Sequence, residues 1–390
     1  MVIAISDDEL SSCVGCGLCL PHCPTFRVSG DEALSPRGRI ATIRLHHDTG
    51  RALDRESADS LNSCIQCRGC EPACPSGVPY GRIIEAAKVE LVNRGLATPR
   101  WQRQLLRVLR HPRLLAASTP VLAVARRLRL IPRRLLPSPI PMRPGPSVRS
   151  TAVDPDFWLF TGCVMNAWQR STHRSLAAIA DALGATYSVP GRGGGCCGAL
   201  HIHQGLGDVA RSWAGDVMAS MPGTAPVVVD SAGCGAALKD YGHLLGTPEA
   251  EEFSRRVLDV HEWLAPRMSD LMVGRMTPDP VEVVLVDPCH LRHVQRSHDA
   301  VRTVLGHVAH IVETGDDGLC CGAGGAYSAL QPDLAESVRA RKVTHIERAR
   351  AGRRIAVAAA NPGCLMFLAG AGLDVRHPID IVARQLEIVP

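Results

Sequence analysis

The sequence predicts a multidomain α+β chain, with a small helical module followed by two repeats of an α/β cysteine-rich domain. Three observations predict it. Two cysteine runs of identical spacing bracket a helical stretch near the N-terminus. Three further cysteine motifs occur twice in the second half, nearly in register. Through that half, short apolar runs alternate with amphipathic stretches of helix length, the pattern of a parallel sheet. The divisions expected are 1–98 for the helical module, 99–150 for a basic connector, and 151–272 and 273–390 for the two repeats.

In the first module the runs read Cys13-x-x-Cys16-x-x-Cys19-x-x-x-Cys23-Pro24 and Cys64-x-x-Cys67-x-x-Cys70-x-x-x-Cys74-Pro75. Three thiolates at these spacings wrap one [4Fe-4S] cube, and a fourth followed by proline is turned away toward the other cube, as in a bacterial-type ferredoxin. This predicts crossed ligation. Cys13, Cys16, Cys19 and Cys74 hold one cluster, and Cys64, Cys67, Cys70 and Cys23 the other. Zinc sites draw two cysteine pairs from separate loops, and a third cysteine one turn on, twice over, fits that poorly. Asp7, Asp8 and Glu9 mark a short helix start. Helices are expected over 38–47, 57–63 and 81–94, the last with Ile83, Ile84, Ala87 and Leu91 on one face. Arg37, Arg39 and Arg68 are candidates to raise a cluster's potential by standing close to it; the alternative is solvated surface arginines.

The connector has no Asp or Glu from Leu91 to Val153, and twelve Arg between Arg100 and Arg149. Segments 101–110 and 121–130 predict short basic amphipathic helices, and prolines cluster from Pro132 to Pro146. Such a segment lies on an anionic membrane surface, docks on a partner subunit, or packs over its own domains. No nucleic-acid motif accompanies the charge.

In the second half the first copy carries Cys163, then Cys196-Cys197-Gly198, then Cys234; the second carries Cys289, then Cys320-Cys321-Gly322, then Cys364. Strand runs are expected at 157–160, 186–189, 227–230, 281–286, 308–312 and 355–359, three per copy. Helices follow, for example 171–183 and 334–350. Ligands of open parallel sheets bind beyond the carboxyl ends of the strands. All eight cysteines fall there, near predicted helix starts whose N–H groups favour a thiolate. The glycines at 193–195 and 322–325 are expected to let backbone approach a bound group. The two sets, Cys163, Cys196, Cys197, Cys234 and Cys289, Cys320, Cys321, Cys364, are therefore candidate metal ligands. A further iron–sulfur cluster, a zinc ion or an empty site all suit four thiols.

Sixteen cysteines in cluster-type motifs, without a secretory signal, indicate a reducing, cytoplasmic compartment. No stretch of about eighteen uncharged apolar residues exists to span a membrane. The net charge of +5 is mild.

With these motifs placed, the chain resembles the iron–sulfur subunit family of glycolate oxidase along nearly its whole length. The resemblance rests on Cys13-Val14-Gly15-Cys16-Gly17-x-Cys19, Ser35-Pro36-Arg37-Gly38-Arg39-Ile40 and Cys64-Ile65-Gln66-Cys67-Arg68-x-Cys70-Glu71, continuing through Cys74-Pro75-Ser76-Gly77-Val78. The repeated half resembles the cysteine-rich domains of heterodisulfide reductase and of the anaerobic glycerol-3-phosphate dehydrogenase iron–sulfur subunit. The resemblance implies an FAD-binding partner that oxidises a 2-hydroxy acid while this chain carries the electrons toward quinone, at the inner face of the membrane. In the heterodisulfide reductase motif a fifth cysteine stands where this chain has Ser231 and Asn361. No Gly-x-Gly-x-x-Gly follows the first strand of either α/β copy, so the hydride acceptor belongs to a partner. The rival readings are a thiol–disulfide reductase acting directly on substrate, the iron–sulfur subunit of a glycerol-3-phosphate or lactate dehydrogenase, and a zinc-bound scaffold.

Overall fold

The computed structural model describes residues 5–97, 99–131, 140–275, 279–316 and 318–388. Arg133, Arg134 and three of the six clustered prolines, Pro132, Pro137 and Pro139, lie outside the described residues.

The first helix, Asp7–Ser11, is set by a capping box in which Ser6 and Glu9 exchange hydrogen bonds. Ser35 caps Pro36–Thr49, Asp54 caps Arg55–Asn62, and Tyr80–Asn93 follows Pro79. Their apolar faces close one core containing Leu10, Ile40, Ile43, Leu61, Ile83, Ile84 and Leu91. The cysteine loops of both runs lie against this core rather than within a helix.

The second half forms two four-stranded parallel sheets. The first contains β1 (Phe157–Phe160), β2 (Tyr187–Ser188), β3 (Val227–Val229) and β4 (Val257–Asp259), in the order β2-β1-β3-β4. The second contains β5 (Val281–Leu285), β6 (Ala309–Glu313), β7 (Ala356–Ala358) and β8 (Val375–Arg376), in the order β6-β5-β7-β8. The topology is the same in both, as the sequence repeat requires. Each sheet has four strands where the sequence pattern predicts three. The additional strands, β4 and β8, are short edge strands that lead directly into helices Val260–Leu264 and Pro378–Gln385.

The two copies share one hydrophobic core. Phe157, Leu159 and Leu176 of the first pack in the same cluster as Val283, Leu305 and Ile379 of the second. Backbone joins them as well: the Ala232 N–H donates to the Ala360 carbonyl at 3.1 Å. His377 Nε2 donates to the Asp230 carbonyl at 3.1 Å, while its Nδ1 accepts from the Ile379 N–H at 3.2 Å.

The connector corrects one expectation. Its main helix is Pro112–Arg127, running through Pro120, and does not begin at Val121. Proline removes a single ladder bond there, and the buried face of Leu115, Ala116, Thr119 and Ala123 holds the helix in place. Trp168 Nε1 donates to Thr119 Oγ1 at 3.0 Å. Ala123 packs with Ile140 and Met366.

Candidate metal centres

The first thiol set lies at the surface. Cys13, Cys16, Cys19 and Cys74 line one hollow that opens to solvent. Cys74 thus joins the first run across more than fifty residues of sequence, as crossed ligation expects. Cys16 is exposed, and Val14 and Leu18 beside it are 73% and 56% exposed. The loop's shape depends on Arg37, whose Nη1 donates to the Gly15 carbonyl at 2.9 Å. A Cβ at Gly17 would stand 2.7 Å from that same nitrogen, and Gly17 also has φ of +85°, so only glycine suits the position. The four thiols gathered at this hollow supply the soft, all-sulfur donor set of an iron–sulfur core.

The second set is buried. Cys23, Cys64, Cys67 and Cys70 are each less than a tenth exposed. Burial pushes the Cys67 and Cys70 thiols well up, and Cys23 and Cys64 add to it in both cases. Cys23 therefore lies near the second run, and near Cys19 of its own run as well. Cys70 also lines the first hollow, so the two sets share a wall. Three hydroxyl or amide groups serve these sulfurs: Thr25 Oγ1 at 3.2 Å from Cys23 Sγ, Tyr80 Oη at 3.5 Å from Cys64 Sγ, and the Gln66 N–H at 3.4 Å from Cys64 Sγ. Tyr80 carries no signal of this in the sequence, whereas Thr25 lies two residues past Cys23.

Of the three candidate arginines, only Arg39 stands as an unneutralised charge. Arg37 pairs with Glu32 at 2.9 Å, and Arg68 with Glu71 at 2.8 Å. Arg39 is 1% exposed and meets no carboxylate among the described residues. It donates to the Ser60 carbonyl at 2.9 Å, to Thr25 Oγ1 at 3.1 Å and to Ser63 Oγ at 2.7 Å. Burial works against its charge, but Tyr80, Cys64 and Cys23 outweigh that and hold it firmly protonated. Lys88, also buried, points its Nζ at the Cys64 carbonyl at 3.5 Å.

The structure brings together the four cysteines of each C-terminal copy. Each set follows the carboxyl ends of its strands, at the point where the strand order reverses between β1 and β3 or between β5 and β7. In the first copy the thiols adjoin one another in the order Cys163, Cys196, Cys197, Cys234. In the second the order is Cys289, Cys320, Cys321, Cys364, with Cys321 and Cys364 sulfurs 3.2 Å apart. Among the described residues no group of three or more His, Cys, Asp or Glu closes on one point as a single-ion cage.

Acidification of every thiol by helix starts does not hold. The bond to Cys163 pushes the Cys196 thiol well up, and the bond to Cys197 does the same to Cys234. In the second copy Cys289 and Cys321 are held well below the ordinary thiol range, chiefly by their contact with Cys320, while Cys320 and Cys364 are pushed up. Cys320 and Cys321 sit in a loop; the next helix is Tyr327–Leu330. Below that loop lies a buried ion pair, Lys342 Nζ to Asp316 Oδ2 at 2.7 Å, and Lys342 favours the Cys321 thiolate.

The glycines near these cysteines serve packing between elements. A Cβ at Gly195 would meet the Arg110 carbonyl at 2.8 Å, one at Gly322 the Ala335 carbonyl at 2.6 Å, and one at Gly325 the Leu200 side chain of the other copy at 2.2 Å. Ser231 and Asn361 face each other across the seam, 3.4 Å apart, and the Gly233 N–H donates to Asn361 Oδ1 at 3.1 Å.

The sets adjoin one another. Cys67 and Ile65 belong to the same apolar cluster as Cys320, Cys321 and Cys364, and Cys289 raises the Cys67 thiol further. Gln66 Nε2 donates to the His203 carbonyl of the first copy at 2.7 Å. The second run is thus wedged between the two copies.

Comparison with known proteins agrees with this layout. Residues 9–78 match the family described as a 4Fe-4S dicluster domain, and residues 157–239 and 283–369 each match the one described as a cysteine-rich domain. The glycolate oxidase iron–sulfur subunit of Escherichia coli K12 is 30% identical over 98% of this chain and 95% of its own. This chain belongs to the glycolate oxidase iron–sulfur subunit family. A probable glycolate oxidase iron–sulfur subunit of Bacillus subtilis 168 is 29% identical over 93% of this chain and 89% of its own. A subunit of the dihydromethanophenazine:CoB–CoM heterodisulfide reductase of Methanosarcina mazei is 29% identical, over 86% and 83%. Like the rest of this family, the chain is an iron–sulfur protein of oxidoreductase type, with two [4Fe-4S] clusters in its N-terminal part. No helix among the described residues is long and apolar enough to cross a membrane.

Proposed function

We propose that this chain is the electron conduit of a glycolate-type 2-hydroxy-acid dehydrogenase. It takes electrons from a separate FAD-binding subunit and delivers them toward quinone at the cytoplasmic face of the membrane. The observation that carries this is the contiguity of the thiol sets. An exposed set at Cys16 shares a wall with a buried set, which in turn abuts the copy that holds Cys289.

In this reading Cys13, Cys16, Cys19 and Cys74 hold one [4Fe-4S] cluster, and Cys23, Cys64, Cys67 and Cys70 the other. Such clusters, when bound, carry electrons singly. The chain's own residues do the rest. Thr25 and Tyr80 orient two of the sulfurs, and the helical core keeps water from the second set. Arg39 places a fixed positive charge that favours added electrons on that set. The exposed apolar rim of Val14 and Leu18 is where a partner would seat. The sets Cys163, Cys196, Cys197, Cys234 and Cys289, Cys320, Cys321, Cys364 hold a further iron–sulfur group or zinc, soft metals that suit all-sulfur donors. Oxidation of a 2-hydroxy acid removes a hydride, which needs an organic acceptor of the kind a flavoprotein supplies.

The test is division of labour. Anaerobically reconstituted chain alone should give no glycolate-dependent dye reduction, and adding the flavoprotein subunits should restore it. Glycolate oxidation by the isolated, flavin-free chain would overturn the reading.

A further inference from the structure

The connector carries an apolar face that the described residues leave uncovered. On helix Pro112–Arg127, one side is buried against the two copies, through Leu115, Ala116, Thr119 and Ala123. The opposite side is apolar too. Leu114 is 60% exposed, Val121 71% and Leu128 65%. These three recur every seven residues, two helical turns, so they form one stripe, and Val124 at 42% lies beside it. Leu105, in the preceding helix Arg100–Arg107, is 63% exposed. A soluble surface rarely spends so many large apolar side chains in one place without a partner.

The charge around the stripe is of a single sign. Arg107, Arg113, Arg127 and Arg129 are exposed and meet no carboxylate among the described residues. No Asp or Glu occurs between Leu91 and Val153 to neutralise them. An acidic protein partner would meet the arginines, but a helix that is apolar along its crest and cationic at its flanks matches the headgroup layer of an anionic bilayer at both levels.

The connector's inner side gives the placement a use. Gly195, beside Cys196, packs against the Arg110 carbonyl and Pro112, and Leu109 and Val164 pack with Cys163, Cys196 and Trp213. Arg110 is tied down by Asp216 and lies over the Trp213 ring at 5.6 Å. The first-copy thiol set therefore lies directly under the connector.

We propose that helices Arg100–Arg107 and Pro112–Arg127 form a lipid-docking surface. The stripe of Leu114, Val121, Val124 and Leu128 sits among anionic phospholipid headgroups, with the first-copy cysteines facing the membrane. This rests on the proposed delivery to a membrane-soluble acceptor for its purpose, and on the exposed stripe for its physical support.

The experiment uses the full chain and no substrate, so its outcome is separate from that of the dehydrogenase reading. Co-sedimentation is measured with vesicles of phosphatidylcholine alone and of phosphatidylcholine mixed with phosphatidylglycerol. Wild type should bind the mixed vesicles, hardly bind the neutral ones, and be released by salt. The double variant Val121→Glu/Leu128→Glu should lose binding while folding normally, because both side chains are exposed. Arg113→Glu/Arg127→Glu should weaken it about tenfold or more, each arginine near an anionic surface being worth about fivefold. Wild type that ignores anionic vesicles overturns the proposal. So does stripe-variant protein that binds vesicles as wild type but no longer retains the flavoprotein subunits, since the surface would then belong to a protein partner.

Discussion

Replacing Arg39 by Met removes a buried cation that stands beside the second thiol set with no carboxylate paired to it among the described residues, and leaves Lys88 near Cys64 in place. The path from guanidinium to sulfur is 3.1 Å to Thr25 Oγ1 and 3.2 Å from there to Cys23 Sγ, so the charge and that sulfur are roughly 6 Å apart at most. At an effective dielectric of about 20, unit charges at roughly that distance interact by about 3 kcal/mol. In a one-electron couple about 1.4 kcal/mol and about 59 mV are the same tenfold, which makes the shift about 0.1 V. The sign follows from charge: reduction adds an electron, a nearby cation favours it, and its loss lowers the potential. Redox titration of the reconstituted chain followed by electron paramagnetic resonance reads both clusters. Arg39→Met should lower the potential of one cluster by about 0.1 V and leave the other nearly unmoved. Arg39→Lys, which keeps the charge but not the fork that reaches Ser60, Thr25 and Ser63, should move it by less than half as much. Equal potentials in wild type and Arg39→Met, with both clusters present, would refute the role assigned to this arginine.

Three further outcomes follow from the geometry. Cys23→Ser should disturb the spectrum of the cluster held by Cys64, Cys67 and Cys70, and spare the one beside its own neighbours in sequence; loss of the Cys13, Cys16 and Cys19 signal instead would reverse the assignment. Gly38→Ala should destabilise the helical module by about 1–3 kcal/mol in denaturant unfolding, since the new Cβ would stand 2.0 Å from the Glu32 carbonyl oxygen. His377 joins the two copies only in its neutral form, because Nδ1 must accept from Ile379 while Nε2 donates to Asp230. Burial, with His261 adding to it, depresses its pKa from 6.5 to about 4. The unfolded chain therefore binds the proton more readily, so stability is full above the unfolded pKa and is lost as the pH falls toward the folded one, by about 3 kcal/mol at most. Thermal unfolding of His377→Gln should be flatter than wild type between pH 7 and pH 4, and identical slopes would dismiss the residue as the acid-sensitive joint.

Much of this was legible in the residues because local pattern and tertiary role coincide. The cysteine spacing predicts crossed ligation, and the structure places Cys74 at the hollow of the first run and Cys23 close to Cys67 and Cys70 of the second. Six strands are readable as β-branched or aromatic runs. The two that are not, Val257–Asp259 and Val375–Arg376, are three and two residues long, and each ends in a charged side chain. Strand formation there comes from the neighbouring strand rather than from intrinsic preference. Pro120 misled the helix boundary, because proline ordinarily ends a helix and here tertiary packing keeps it going. The three arginines look alike in sequence; only the carboxylates of Glu32 and Glu71, reached through space, neutralise two of them. The glycines of the cysteine loops suggest room for a bound group; in the structure Gly195 also makes room for the connector and Gly325 for the opposite copy.

In the proposed route, electrons from a flavoprotein pass through the contiguous thiol sets in one line. Cys67 stands where the second set meets the copy holding Cys289. Stopped-flow measurement on the assembled complex with Cys67→Ser separates reduction of the flavin by glycolate from reduction of the terminal acceptor. The route predicts flavin reduction at the wild-type rate and acceptor reduction nearly abolished. Acceptor reduction at the wild-type rate in that variant would contradict it.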